Sequence, residues 1–269
     1  ESMALLEEAG IKIPGGKRTL LVPARNFPVE VLFLRDDDIP ESVASGVADV
    51  GIVGLNEVME KRCPVGILKK LGFGKCRLSL AIPQDIDYQD RNWFSGKKIA
   101  TSYPGILSDY LHKNGIVSDI HVITGSVEIA PGIRLADAIF DIVSSGSTLV
   151  SNRLKEVETV VESEAVLIGT DSISPEKRGI LDELLFRFDS VQAADDKKYI
   201  LMNVPQKKLN DVLSVLPGIK SPTVMPLADK EWCSVHTVLD EKCFWEIINR
   251  LKTAGAEGIL VLDIEKMIL

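Results

Sequence analysis

Between Asp49 and Phe188, short apolar runs alternate with helical stretches in two successive blocks, and at Lys197 that rhythm changes. In the first block, β-rich stretches at residues 19–22 and 29–34 lead into Asp36-Asp37-Asp38-Ile39-Pro40, which opens a helix that Gly46 closes. Asp49-Val50-Gly51-Ile52-Val53-Gly54 and residues 78–82 read as buried strands. The polar stretch 83–95 connects to a second block: a strand and turn at 97–104, a helix at 106–113 capped by Asn114-Gly115, and a strand at 120–123. An apolar strand at 165–168 returns toward the first block, and 175–188 is an amphipathic helix. Strand, helix, strand order calls for α/β sheets with parallel strands, and two crossings between blocks imply hinged lobes. From Lys197 the order becomes strand 199–204, helix 207–216, strands 223–227 and 233–238, helix 242–253 and strand 258–263, the βαββαβ ferredoxin-like plan. The expected division is lobe I at 1–82 and 166–196, lobe II at 83–165, and a third module at 197–269.

At 269 residues the chain exceeds one average domain, and 45% hydrophobic with 26% charged residues is the balance of a globular protein. No apolar run reaches membrane-spanning length. A formal net charge of -8 repels polyanions, which excludes nucleic acid as a general partner and means that a phosphate ligand needs a local site. Cys63, Cys76, Cys233 and Cys243 form no C-x-x-C pair and there are three histidines, so neither a zinc site nor a disulfide framework is indicated; a reducing cytoplasm is the simplest home. The chain opens inside an amphipathic helix, Met3 to Ala9 closed by Gly10, and a strand is expected ahead of it.

Chemistry concentrates in Gly125-Ser126-Val127-Glu128-Ile129-Ala130-Pro131 and in residues 135–149, where an apolar strand runs into Ser144, Ser145, Gly146, Ser147 and Thr148 and then into a helix. Backbone N–H groups, hydroxyls and the start of a helix together suit a phosphate monoester. Asp141 on the strand and Glu128 at the preceding turn can accept hydrogen bonds from two ribose hydroxyls or hold a magnesium-bound pyrophosphate. On the residues alone two readings stand: a phosphate-binding α/β cleft, or a plain turn and helix cap. Lys69, Lys70, Lys75 and Arg77 form a basic cluster that serves either to draw in polyphosphate or as a solvated face.

The stretch Glu128 to Leu149 resembles the ATP phosphoribosyltransferase family, in which Glu, Asp, Asp and a Ser/Thr-Gly-x-Thr-Leu loop follow in this order and spacing. Arg35 to Pro40, Asp49 to Gly54, Cys76 to Ala81, Ile99 to Pro104 and Ser221-Pro222-Thr223 also resemble family segments in family order, so the likeness covers nearly the whole chain. Arg134 departs from it, standing where the family usually has glycine. The resemblance implies the long form: a two-lobed, type II periplasmic-binding-protein-like catalytic unit followed by a ferredoxin-like regulatory domain. It implies that N1 of ATP displaces pyrophosphate from C1 of phosphoribosyl pyrophosphate (PRPP), with Mg2+ and without a covalent enzyme nucleophile, as the first step of histidine biosynthesis. Glu128 and Asp141 would be catalytic and metal-holding, residues 144–148 would bind PRPP, and Cys76 and Arg77 would lie across the cleft on the ATP side. Histidine would inhibit by binding near Asn203, Ile219, Thr223 and Gly258, in a dimer that builds a hexamer.

Two other classes compete. A two-lobed solute-receptor-like binding protein has the same grammar but gives no reason for the acids entering a hydroxyl-glycine loop or for the appended module. Other phosphoribosyltransferases place paired acids immediately before the loop on a single domain, whereas here Glu128 and Asp141 are spread out.

Overall fold

The structure, a computed structural model, describes residues 1–15, 19–217 and 222–268. The chain forms two compact units: Glu1–Met3 with Lys12–Ile180, and Ala4–Ile11 with Leu181–Leu269. It opens with α1 (Ser2–Glu8), closed by Gly10 at φ +76°, whose N–H donates to Glu7 O while Ile11 N donates to Leu6 O. This pair of hydrogen bonds around a left-handed glycine is a Schellman cap, the ending that Gly10 signals in the sequence.

In the first unit, β1 (Leu21–Pro23) and β2 (Glu30–Leu32) form an antiparallel ribbon. A 3-10 turn at Asp36–Asp38 leads into α2 (Ile39–Ala44), then β3 (Val50–Gly54), α3 (Leu55–Lys61) and β4 (Gly66–Lys70). β5 (Cys76–Pro83), β6 (Lys98–Thr101), α4 (Pro104–Lys113), β7 (Asp119–Val122), β8 (Ala138–Val143), α5 (Ser147–Ser151) and β9 (Leu154–Ser163) follow, before β10 (Ala165–Gly169) and α6 (Pro175–Ala194), which from Leu181 belongs to the second unit. One sheet has the order β3-β10-β4 and the other β7-β6-β8-β5-β9. In the larger sheet β6 is parallel to β7 and β8, while β5 runs antiparallel to β8 and β9. That order, with one antiparallel strand inserted after a crossing, is the type II periplasmic-binding-protein-like plan.

Two sequence expectations change here. The boundary expected after residue 82 falls before Cys76, because β5 pairs along its length with β8 and β9, and its Leu78, Leu80 and Ile82 are buried with Phe94, Ile99 and Phe140. The first sheet is also antiparallel rather than parallel. β10 enters from β9 after the single residue Glu164 and inserts between β3 and β4, taking the neighbour position that a parallel pair would have had.

The second unit contains β11 (Lys197–Pro205), α7 (Leu209–Val215), β12 (Thr223–Pro226), β13 (Trp232–Asp240), α8 (Glu241–Ala254) and β14 (Glu257–Asp263). Its sheet order is β12-β13-β11-β14, all antiparallel, so the βαββαβ reading holds. Ile200, Met202, Val204, Cys233, Val235 and Leu239 face Val212, Phe244, Ile247 and Leu251 of the two helices and are buried with them. α1, expected with lobe I, belongs from Ala4 to this unit, where Arg187 Nη1 on α6 donates to Ala9 O at 3.3 Å.

Candidate active site

β8 carries the chain out of the core. Ile139, Phe140 and Val143 are buried, Asp141 is half-buried, and the next residues, Ser144, Ser145, Ser147 and Thr148, are exposed. Gly146 sits at φ +80°, a conformation that L side chains rarely adopt, and this turn starts α5, with Val150 N donating to Gly146 O at 3.2 Å. The Oγ atoms of Ser145 and Ser147 are 2.9 Å apart. The first N–H groups of any helix have no partner within it, so Ser147 and Thr148 bring amides as well as hydroxyls to one place.

The loop is braced from the neighbouring strands. Arg77 on β5 donates through Nη1 to Ser144 O at 3.1 Å, and through Nε and Nη2 to the two carboxylate oxygens of Glu156 on β9 at 2.6 and 2.5 Å. Ser79 Oγ also donates to Glu156 Oε1 at 2.7 Å. Held first by Arg77, the Glu156 carboxyl is lowered to about 2. A bidentate guanidinium fixes direction as well as charge, so the start of the loop is tied to two strands at once.

Glu128 lies on a 3-10 turn, Val127–Ile129, that Val127 and Ala130 pin to the core. Burial pushes the Asp141 carboxyl up to about 6, Ile142 N–H opposes this by donating to its Oδ1 at 2.8 Å, and the Glu128 charge adds to the rise. Asp141 thus feels the charge of Glu128, and it stands on the strand that leads into the hydroxyl loop, three residues before Ser144. Tyr103, just after β6, also feels the Asp141 charge and is buried.

Residues 35–190 match the family described as ATP phosphoribosyltransferase, and residues 194–266 match the C-terminal domain of the same family. An ATP phosphoribosyltransferase of Bacteroides fragilis is 70% identical over 100% of this chain and 95% of its own length, and one of Phocaeicola vulgatus is likewise 70% identical with the same coverage. The chain belongs to the ATP phosphoribosyltransferase family. Because both regions are matched, it is the long form. An ATP phosphoribosyltransferase (HisG:HisZ) complex from Thermotoga maritima aligns with a TM-score of 0.60 and 25% identity, over 70% of this chain and 92% of that one.

Within this ATP phosphoribosyltransferase fold, Arg134 is at φ +59°, its N–H donates to Pro131 O at 3.1 Å, and Leu135 N–H donates to Ala130 O at 2.9 Å. Those two bonds form a Schellman motif with Arg134 at the left-handed position, which explains why glycine suits it. Arg134→Gly is expected to stabilise the protein by about 0.5–1 kcal/mol in urea unfolding, the left-handed strain relieved exceeding the extra chain entropy of glycine.

Cys76 and Arg77 were expected across the cleft from the PRPP loop. Both lie instead in the sheet that carries that loop, Arg77 opposite Val143 and Cys76 opposite Ser163, because β5 is a strand of that sheet. Burial raises the Cys76 thiol. In the second unit, Asn203 and Gly258 adjoin: a Cβ on Gly258, at φ +56°, would meet Asn203 Nδ2 at 3.3 Å. Thr223 pairs with His236 on β13, with that strand between it and Asn203 on β11. Ile219 and Ser221 lie outside the described residues. Glu57, Tyr103 and Glu156 also shape the electrostatics of the first unit, and no local pattern in the sequence marks them for it.

Proposed function

We propose that this chain catalyses attack of N1 of ATP on C1 of PRPP, yielding phosphoribosyl-ATP and pyrophosphate, the first step of histidine biosynthesis. The observation that supports this reading is Asp141, which feels the Glu128 charge and stands on the strand leading into the exposed loop Ser144–Thr148. The loop receives the 5′-phosphate through amides and hydroxyls, and the two carboxylates accept hydrogen bonds from the ribose hydroxyls. The N1 lone pair forms the new bond to C1 as the C1–O bond breaks and its electrons leave with pyrophosphate. The transition state has oxocarbenium character, so no enzyme nucleophile is required and catalysis rests on aligning two anionic substrates.

Among the described residues no group of three or more His, Cys, Asp or Glu could hold a metal ion. Glu128 and Asp141 are the carboxylates that would hold a magnesium ion at this site. A magnesium ion held there would supply positive charge against the departing pyrophosphate. Cys76 is proposed to serve the ATP side, and Arg77 to act by bracing the loop. The experiment that tests the activity is direct detection of phosphoribosyl-ATP. A non-catalytic solute-receptor reading is not favoured, since the close relatives are named as the transferase.

The second unit is proposed to bind histidine as a feedback inhibitor around Asn203, Thr223 and Gly258, and to assemble the protein into dimers and hexamers in the cytoplasm. No described helix is long and apolar enough to cross a membrane. Thr223 is exposed, so Thr223→Trp is tolerated by the fold. It is expected to raise the histidine concentration for half-inhibition by at least about tenfold, as a filled pocket would. Catalysis without histidine should be unchanged, and inhibition curves that coincide with wild type would remove Thr223 from the binding site.

A further inference from the structure

Three tiers of contacts join α3, which follows β3 of the smaller sheet, to α4, which follows β6 of the larger one. In the innermost tier Tyr103 Oη donates to Glu57 Oε1 at 2.8 Å and accepts from Asn56 Nδ2 at 3.1 Å. Asn56 is buried and is anchored to the end of β9, where Ser163 Oγ donates to Asn56 Oδ1 at 2.8 Å and accepts from Asn56 N at 3.1 Å. In the middle tier the Glu60 carboxylate accepts from Gly105 N at 2.8 Å and Ile106 N at 2.9 Å. In the outer tier Arg62 Nη2 donates to Gly105 O at 3.0 Å and Asp109 Oδ2 at 2.7 Å.

The middle tier decides what this arrangement does. The residue preceding α4, Tyr103, makes no side-chain cap, and Pro104 has no N–H, so the orphan amides at the start of α4 depend on a carboxylate from the other lobe. Gly105 fits that approach closely, since a Cβ there would meet the Glu60 Oε1 atom at 3.0 Å. Arg62 is held at φ +54° as the C-cap of α3, which aims its side chain at the same turn. A helix capped by its own residues would be indifferent to the position of the neighbouring lobe; α4 is not.

We infer that Glu60, supported by the Tyr103–Glu57 and Arg62–Asp109 contacts, is a positioning residue that fixes the separation of the two lobes at the value aligning the two substrates. This rests on the phosphoribosyltransferase reading, because positioning has a rate consequence only if two bound substrates must meet across the lobes. Glu60 touches no substrate in this account, so each substrate alone should bind a variant normally.

The test uses the full chain with Glu60→Ala. Peptides spanning residues 104–107 should exchange amide hydrogen faster than in wild type, kcat should fall about ten- to hundredfold, and the Kd for PRPP alone, by calorimetry with magnesium, should stay within about twofold. Glu60→Gln, which keeps one accepting oxygen, should fall between the two. Unchanged kcat despite faster exchange overturns the inference, and so does a PRPP Kd that weakens in proportion to kcat. If Glu60→Ala does not fold, Arg62→Ala carries the test. Its side chain is 55% exposed, and it should lower kcat severalfold with PRPP affinity unchanged; full kcat there overturns the inference. A wild-type chain that forms no phosphoribosyl-ATP would sink the transferase reading instead, a result distinct from any of these.

Discussion

Asp141→Asn is expected to lower kcat/KM for PRPP by about 10²- to 10³-fold with the fold intact, the scale of losing one preorganised charged contact to the reacting group. Asn keeps the shape and can still accept from Ile142 N–H, but it brings no charge to the ribose or to a magnesium-bound pyrophosphate. The same substitution should have an opposite effect on stability. In the folded protein the Asp141 carboxyl titrates near 6 because it is buried and faces Glu128, whereas in an unfolded chain it titrates near 4. The folded state therefore favours the protonated form. That contribution is fully present below about pH 4 and is lost as pH rises through 6. In chelator-treated buffer at pH 8, Asp141→Asn should be more stable than wild type by about 2 kcal/mol, and below pH 4 the two should coincide. Urea unfolding at the two pH values reads this directly. A variant no more stable at pH 8 would mean that Asp141 is not a strained acid, and a variant with wild-type turnover would remove it from the site.

The second large effect is expected at Arg77. Arg77→Ala removes the donor to Ser144 O and leaves Glu156, half-buried between β5 and β9, without its guanidinium. The start of the hydroxyl loop is then free to shift, and a misplacement of about 1 Å can cost about a hundredfold in rate. KM for PRPP should rise about ten- to hundredfold while KM for ATP changes little. Arg77→Lys should not rescue it, because an ammonium cannot make the bidentate contact. The pair is also acid-resistant: with the Glu156 carboxyl lowered to about 2, its stabilising contribution is present above the ordinary carboxylate range and is lost only as pH falls toward 2. If KM for ATP rises instead, Arg77 is an ATP-side residue after all.

These two positions show how far the sequence can be read. Asp141 was legible because it stands in an apolar strand, five residues before a Gly that only a turn requires, so a local pattern exposes it. The role of Arg77 was not, since it depends on Glu156, 79 residues away, and on β9 being a strand at all. β9 escapes a periodicity reading because Lys155, Glu156, Glu158 and Glu162 crowd an otherwise apolar run. Arg77 binds Glu156 and Tyr88 Oη donates to Glu158 at 2.7 Å, so charges that argue against a strand are satisfied by tertiary partners. The same holds for β10, whose apolar run was recognised but whose antiparallel insertion between β3 and β4 is a matter of topology. The ferredoxin-like unit was legible throughout, because its helix faces and alternating strands each carry their own period. The capping of α4 by Glu60 was invisible for the opposite reason: the sequence around Pro104 looks like a self-sufficient helix start, and only the contact with α3 shows that it is not.

The central claim is that Glu128, Asp141 and the Ser144–Thr148 loop form a PRPP site at which ATP is the acceptor. It is tested most directly by following the absorbance of phosphoribosyl-ATP in a mixture of the full chain, ATP, PRPP and Mg2+, with pyrophosphatase to remove the second product. Product that requires all three components, and that falls to near background with Asp141→Asn, is the predicted result. A folded protein that binds PRPP with magnesium but forms no phosphoribosyl-ATP would contradict it.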